Sequence, residues 1–141
     1  MKRLCRVLVT VCVAGTLLVV SGGCSSGGAK LEGTRWMLTG WSVSSLDPAE
    51  FTITAAFADG QVSGSSGVNT YGGSYKAGPG DAVKVGEVAS TLMAGEEPAM
   101  RAESVYMTLL QDARSFSLAD GVLTFYDEGG NESLIFAATG E

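Results

Sequence analysis

The sequence predicts an α+β fold: an antiparallel, strongly curved sheet or partly closed β-barrel of about eight strands with one helix packed on it. Three observations lead to this prediction. Short segments alternate apolar and polar residues, turn dipeptides such as Asp59-Gly60 and Asp120-Gly121 separate them, and one late segment has helical spacing. With 141 residues and 20 glycines, the chain fits one modest domain rich in turns.

The first three predicted strands lie in the N-terminal half of the domain. Thr34 to Val43 is strand-like, and Trp36 is expected in the core. Phe51 to Phe57 alternates most clearly and places four apolar residues on one face: Phe51, Ile53, Ala55 and Phe57. Asp59-Gly60 accepts positive φ and predicts a hairpin, so Gln61 to Ser66 is expected to return as the partner strand.

The centre of the sequence, residues 64–75, reads GSSGVNTYGGSY. Its four glycines, Asn69 and two tyrosines predict a backbone that turns sharply and packs tightly. Gly64 leaves room for a close approach of another backbone segment or for a bulge. Asn69 is expected to cap its own loop with its side chain.

Further strands are predicted on both sides of the helix. Gly73 to Ala77 and Ala82 to Val88 are strand candidates joined by a turn at Gly78 to Asp81. Two more hairpins are expected between Phe116 and Ala138, because Ala119-Asp120-Gly121 and Glu128-Gly129-Gly130-Asn131 are turn sequences.

One helix is predicted, from Pro98 to Ala113, after a connection at Ala89 to Glu97. Pro98 suits the first helical turn, and Arg114 suits the negative C-terminal end. The apolar residues follow a spacing of 3, 1, 3, 1, 3 and form a single stripe that is expected to be buried: Ala102, Val105, Tyr106, Leu109, Leu110 and Ala113.

The first 23 residues are predicted to be a signal peptide. Lys2, Arg3 and Arg6 form a basic start, and Val7 to Val20 is an almost unbroken apolar run. A permanent membrane span needs roughly 20 apolar residues, so this run is short for one.

Cys24 is the predicted lipid attachment site. Val20 to Cys24 resembles a bacterial lipobox, in which small residues precede the cysteine that is lipidated, although Ser21 stands where a larger aliphatic residue is usual. Residues 24–30 would then be the lipidated cysteine and a flexible tether, and residues 31–141 the domain. This predicts a cell-envelope protein held by lipid on the extracytoplasmic side of a bacterial membrane. Ordinary secretion and an uncleaved anchor are the alternatives.

Charge and composition exclude several classes of function. The net charge is −6, and removal of Lys2, Arg3 and Arg6 leaves six basic against 15 acidic residues, a net charge of −9. Such an acidic chain is not expected to bind nucleic acid. The chain has no histidine, and its three cysteines lie at or before Cys24. A Ser-His-Asp triad and cysteine-based zinc sites are therefore excluded from the mature domain, and no cofactor is predicted.

Two other patterns are weak candidates for chemistry. The adjacent carboxylates Glu96-Glu97 and Asp127-Glu128 could take part in acid–base catalysis or bind calcium, but neighbouring side chains in sequence often point apart. A serine–lysine pair is conceivable without a recognisable motif, from Ser65, Ser66 or Ser74 with Lys76 or Lys84. We predict no catalytic and no metal site, and expect a protein that is not an enzyme.

Several motifs give the chain a family resemblance. Leu31 to Trp36 matches Leu-x-Gly-Thr-x-Trp, and residues 64–75 match Gly-x-x-Gly-Cys-Asn-x-Tyr-x-Gly-x-Tyr. Ser90 to Gly95 matches Thr-Thr-x-Met-Ala-Cys, and Pro98 to Glu103 matches the start of the helix that follows. In these motifs the chain resembles the META domain family, which includes HslJ-like heat-shock proteins and bacterial envelope lipoproteins.

The resemblance singles out eight signature positions that are expected to be structural: Trp36, Gly64, Gly67, Asn69, Tyr71, Gly73, Tyr75 and Met93. Two family positions usually hold cysteines thought to pair, and here they hold Val68 and Gly95. The joint absence of both cysteines implies that these two loops lie near each other.

The function expected from these observations is that of a non-enzymatic, membrane-tethered binding or structural lipoprotein with an envelope protein as its partner. The resemblance alone adds a role in envelope stress. One rival is a carrier of a small apolar ligand or lipid, which would need a hollow lined by Trp36, Phe51 and Phe57. The other is a hydrolase without a recognisable motif.

Overall fold

The computed structural model describes residues 30–42 and 44–140. The predicted signal peptide at 1–23, Cys24 and most of the tether lie outside these residues. The described chain forms eight strands and one long helix, in the order β1 (Thr34–Trp41), β2 (Thr54–Ala58), β3 (Gln61–Ser65), β4 (Thr70–Ala77), β5 (Val83–Ser90), α1 (Glu97–Asp112), β6 (Ser115–Ala119), β7 (Val122–Tyr126) and β8 (Glu132–Ala138).

All eight strands belong to one antiparallel sheet with the order β5-β4-β3-β2-β1-β8-β7-β6. The pairing of β1 with β8 brings the first and last strands together in the middle. The two outer strands then meet, because Ala82 forms a bridge with Ser115 and the Val83 amide donates to the Arg114 carbonyl at 2.9 Å. The sheet is thus a strongly curled half-barrel, and the predicted fold class is confirmed.

The helix α1 packs against β5 and β8. It begins at Glu97 and ends at Asp112, one residue earlier at each end than predicted, and its buried residues belong to the predicted stripe: Ala102, Tyr106, Leu109 and Leu110. The Arg114 guanidinium donates to the Gln111 and Ala113 carbonyls, both at 2.9 Å. It thus satisfies carbonyl groups at the C-terminal end of the helix. Among the described residues, no helix is long and apolar enough to span a bilayer.

Aromatic rings fill the interior between the sheet and α1. The centroid of the Phe57 ring lies 5.0 Å from that of Tyr75 and 6.2 Å from that of Phe125. The ring centroids of Phe125 and Phe136 are 5.8 Å apart. Phe136 in turn lies 6.3 Å from Tyr106 of α1. All four contacts are edge-to-face, the arrangement that the charge distribution of aromatic rings favours. This chain of rings is the centre of the core.

Two hairpins are as predicted. Asp59 and Gly60 have φ of 55° and 70°, and Asp120 and Gly121 have φ of 52° and 74°. The flanking pairs Ala58–Gln61 and Ala119–Val122 close two-residue turns. Positive φ at both central positions matches the right-handed twist of the strands, so these dipeptides set the register of both hairpins.

The strand predicted at Phe51 to Phe57 is partly wrong. Regular pairing begins at Thr54, and Ile53 forms only an isolated bridge with Ser66. The preceding residues, Pro48–Glu50, form a 3₁₀ turn in which the Asp47 carboxylate accepts from the Ala49 amide at 2.9 Å. This local cap competes with the extended conformation, so Phe51 is only half-buried while Ile53, Ala55 and Phe57 are buried.

The central stretch turns less than predicted. Only residues 66–69 form the turn, and β4 begins at Thr70 rather than at Gly73. The glycines in β4 instead permit close packing: a Cβ on Gly73 would lie 2.8 Å from the Glu87 carbonyl oxygen in β5. Side chains at alternate positions, Tyr71 and Tyr75, then enter the core.

Candidate functional site

The half-barrel has two ends, which we call the N-terminal end and the loop end. At the N-terminal end, the Gly33 amide donates to the Phe57 carbonyl at 2.7 Å, and the Lys30 ammonium lies 2.8 Å from the Asp81 carboxylate. At the loop end are the turn at residues 66–69, the connection at residues 91–96 and the start of α1. The amide of Thr91 donates to the Thr70 carbonyl there, at 3.0 Å.

Asn69 joins the three segments of the loop end. Its Oδ1 accepts from the Thr91 hydroxyl and from the Met93 amide, both at 2.8 Å. Its Nδ2 donates to the Met93 carbonyl at 3.2 Å and to Glu103 Oε1 at 2.9 Å. The predicted cap on its own loop is therefore wrong. The buried amide instead fixes the connection and α1 to the turn, because a buried amide needs all its hydrogen bonds and only those segments supply them.

Glu103 on α1 is the acceptor for the turn. Its Oε2 accepts from the Ser66 hydroxyl at 2.6 Å and from the Asn69 amide at 3.0 Å. Burial raises the pKa of this carboxyl, but the hydrogen bonds from Ser66 and Asn69 outweigh burial, so the net pKa is lowered. The carboxylate is an ionised anchor between helix and turn. The sequence reasoning missed it because Glu103 lies beside the apolar stripe; its place in the family's helix motif was the available signal.

The two signature tyrosines bind different elements through their hydroxyls. The Tyr71 hydroxyl donates to the Thr54 carbonyl at 2.8 Å and lies 2.5 Å from the Tyr106 hydroxyl. The Tyr75 hydroxyl donates to Glu32 Oε2 at 2.7 Å. Burial raises the pKa of both Tyr71 and Tyr75, and for Tyr75 the bond to the Glu32 carboxylate raises it further. Both hydroxyls remain protonated donors that tie the sheet together.

The remaining signature positions are also placed by packing. The Trp36 indole is buried and donates to the Thr34 hydroxyl at 2.7 Å. A Cβ on Gly64 would overlap the Thr54 carbonyl, and Gly67 has a φ of 105° that favours glycine. Gly64 therefore allows β2 and β3 to approach closely, and Gly67 allows the turn that follows β3.

Val68 and Gly95 lie side by side. A Cβ built on Gly95 would lie 3.4 Å from the Val68 Cβ. The turn and the end of the connection are therefore in contact at the two positions where the resemblance implies a cysteine pair.

Large apolar side chains are exposed at the loop end. Leu92 is 95% exposed and Met93 is 60% exposed, while Met100 in the first turns of α1 is 37% exposed. The Met93 backbone is held by Asn69, so its signature position is structural in the backbone although its side chain faces outwards. The sequence reasoning assigned this connection no surface role.

Ser65 and Ser66 are held apart from the candidate lysines. They lie at the loop end, and Ser66 is fully buried, whereas Lys76 and Lys84 pair across β4 and β5 near the other end. Ser74 lies on the same exposed face of β4 as Lys76, and among the described residues no hydrogen bond joins the two.

One member of each adjacent carboxylate pair is bonded within its own element. Asp127 accepts from the Asn131 amide at 2.9 Å within its turn, while Glu97 bonds to Arg101 at 2.6 Å on the helix surface. Within the described residues, no three potential metal-ligating side chains of the His, Cys, Asp and Glu types cluster.

Comparisons with solved structures show the same fold. The NMR structure of a protein from Burkholderia xenovorans is 22% identical and has a TM-score of 0.66, covering 82% of this chain and 88% of that chain. The crystal structure of a DUF4847 family protein from Bacteroides vulgatus is 16% identical and has a TM-score of 0.58, covering 80% of this chain and 97% of that chain. No curated protein matches the chain significantly.

The family model of the META domain matches residues 29–140, which include all eight strands and α1. The motifs at Leu31 to Trp36, at residues 64–75 and at the Met93 connection fall inside this range. Asn69 joins the central motif to Met93 and to Glu103, and Tyr75 of the central motif donates to Glu32 of the first motif. The chain belongs to the META domain family.

Proposed function

We propose that the protein is a non-enzymatic, lipid-anchored module of the bacterial cell envelope that acts by binding another envelope protein. One observation carries the proposal: exposed apolar side chains at Leu92 and Met93 stand on a backbone fixed by Asn69, at the end of the fold remote from Lys30. Binding sites are commonly loops held by a rigid scaffold.

The N-terminal sequence supports the anchor. Cys24 follows a basic start and an apolar run, and Lys30 lies six positions after it. An extended segment of that length reaches about 20 Å. Lipid on Cys24 would therefore hold the N-terminal end near the bilayer and leave the loop end facing away from it.

The packing of the interior favours a protein that binds a partner at its surface over one that carries a ligand inside the half-barrel. The hollow that a carrier needs would be lined by Trp36, Phe51 and Phe57, but Phe57 packs edge-on against Tyr75 and Phe125 and is fully buried. The rings occupy the space that a ligand would take. A role in envelope stress rests on the family resemblance alone and is part of the proposal on that basis.

The anchor is tested by producing the full chain in a bacterium that processes lipoproteins. We expect the mature protein to begin at a lipid-modified Cys24, seen in the mass of its N-terminal peptide, and to sediment with membranes. Cys24→Ala should release the protein or leave its leader uncleaved, while the matched variant Cys12→Ala should behave as the parent. An unmodified mature N-terminus, or a Cys24→Ala chain that is cleaved and still sediments with membranes, would refute the anchor.

The non-carrier part has its own test. Native mass spectrometry of the mature protein should give the mass of the polypeptide with its lipid anchor alone. A retained apolar molecule in addition to the anchor would favour the carrier over the module proposed here.

A further inference from the structure

We propose that Leu92, Met93 and Met100 form a docking surface for a partner protein whose apolar pocket is bordered by basic side chains. We call these three residues the loop-end surface. The inference rests on the proposed function, since it names the partner chemistry of the same module.

The loop-end surface is prepared for burial. Leu92 and Met93 leave 95% and 60% of their area in water, so their transfer into an apolar pocket would be favourable. Asn69 already holds the Met93 backbone, since its side chain accepts from the Met93 amide and donates to the Met93 carbonyl, and it also accepts from the Thr91 hydroxyl. Docking would therefore order little more than two side chains, which lowers its entropic cost.

The charge around the loop-end surface is negative. Glu96 and Glu97 follow the loop directly and are exposed, and Arg101 is bonded to Glu97, so Glu96 remains uncompensated among the described residues. The chain without its predicted leader carries −9. A basic rim on the partner would complement this charge, whereas a second copy of the chain or an anionic bilayer would repel it.

The direction of the strands separates this surface from the lipid. Lys30 is bonded to Asp81 just before β5, and Leu92 follows the other end of β5. The eight residues of this strand span about 25 Å at about 3.3 Å per residue. With lipid on Cys24, the loop-end surface points away from the membrane that carries the protein, which favours a protein as its occupant.

The experiment places a photo-reactive benzoylphenylalanine at position 92 of the full chain in cells that make the protein naturally. The matched control carries the same group at Val122, which is 39% exposed and lies at the N-terminal end. We expect one protein cross-link at position 92 that is missing at position 122. Glu96→Lys in the same chain, or added salt, should reduce its yield several-fold, which a chance neighbour would not do.

Every other result overturns the inference. A cross-link to a second copy identifies self-association, a cross-link only to lipid identifies the bilayer, and equal labelling at 92 and 122 or indifference to Glu96→Lys removes the specific surface. Thermal unfolding of each variant shows that the fold is retained. Membrane fractionation of the same cells separates the two proposals: a membrane-bound chain without the cross-link refutes docking alone, and a released chain refutes the anchor whatever the cross-link shows.

Discussion

The side chain of Val68 lies directly against Gly95, such that a Cβ on Gly95 would be 2.8 Å from the Val68 Cγ2 and 3.4 Å from its Cβ. The contact closes the loop end between the turn at residues 66–69 and the connection to α1. The Cβ atoms of a disulfide lie about 3.5–4.5 Å apart. A small shift would therefore accommodate a bond here.

The double variant Val68→Cys with Gly95→Cys is expected to oxidise spontaneously and to raise the free energy of unfolding by about 2–4 kcal/mol, because the bond restricts the unfolded chain. Thiol counting gives the extent of oxidation, and denaturant unfolding with and without reductant gives the stability. Val68→Ser with Gly95→Ser is the matched control, and reductant should not change its stability. A folded double-cysteine variant that keeps both thiols free would contradict the geometry.

Asn69→Ala should lower the free energy of unfolding by about 2–4 kcal/mol, because the Thr91 hydroxyl, the Met93 amide and Glu103 all lose a buried partner. Hydrogen exchange at the Met93 amide should accelerate more than in the centre of β1. The matched variant Asn131→Ala removes an amide from an exposed turn and should cost clearly less. Equal effects of the two variants would show that Asn69 does not hold the connection.

Glu103→Gln should destabilise the fold by about 1–3 kcal/mol at neutral pH, since the Ser66 hydroxyl and the Asn69 amide lose a charged acceptor. Burial raises the pKa of Glu103, but the hydrogen bonds from Ser66 and Asn69 together have the larger effect. The net result is a pKa below the ordinary value of 4.5. A lowered pKa stabilises the fold above the ordinary value, and that stabilisation disappears as pH falls through the folded-state pKa.

The pH dependence is measured by urea unfolding of the parent and Glu103→Gln at neutral pH and at a pH below 4.5. The difference between the two proteins should shrink at the lower pH, where the parent carboxyl gains a proton. Glu128→Gln, which changes an exposed carboxylate, serves as the control and should follow the parent at both values. A constant difference across pH would show that charge on Glu103 is not what holds the turn.

Local signals explain which elements were predictable from the sequence. The Asp-Gly dipeptides predicted both two-residue hairpins correctly. The single apolar stripe from Ala102 to Ala113 predicted the helix, with each end within one residue of its observed position. Local capping by Asp47 shortened β2, which alternation alone does not reveal. The role of Glu103 was not predictable from the local pattern because its donors, Ser66 and Asn69, lie more than thirty positions away and reach it only when the turn at residues 66–69 packs against α1.

Gly64 and Gly72 have different surroundings in the central stretch, and they supply a further prediction. Gly64 was predicted in the strand that returns from the first hairpin and Gly72 in the sharp turn, and both lie in paired strands: Gly64 of β3 is opposite Tyr71, and Gly72 of β4 is opposite Ser63. Their surroundings differ. A Cβ on Gly64 would overlap the Thr54 carbonyl, the same oxygen that accepts from the Tyr71 hydroxyl, whereas a Cβ on Gly72 meets nothing closer than 3.9 Å.

Gly64→Ala should therefore force β2 away from β3, remove the acceptor of Tyr71 and cost about 3 kcal/mol or more. Gly72→Ala should leave stability unchanged or raise it by about 0.4–1 kcal/mol, because alanine restricts the unfolded chain and fits the strand. Denaturant unfolding of both variants compares the costs directly. A Gly64→Ala protein as stable as Gly72→Ala would mean that the close approach of Thr54 is not required, and that this signature glycine is retained for another reason.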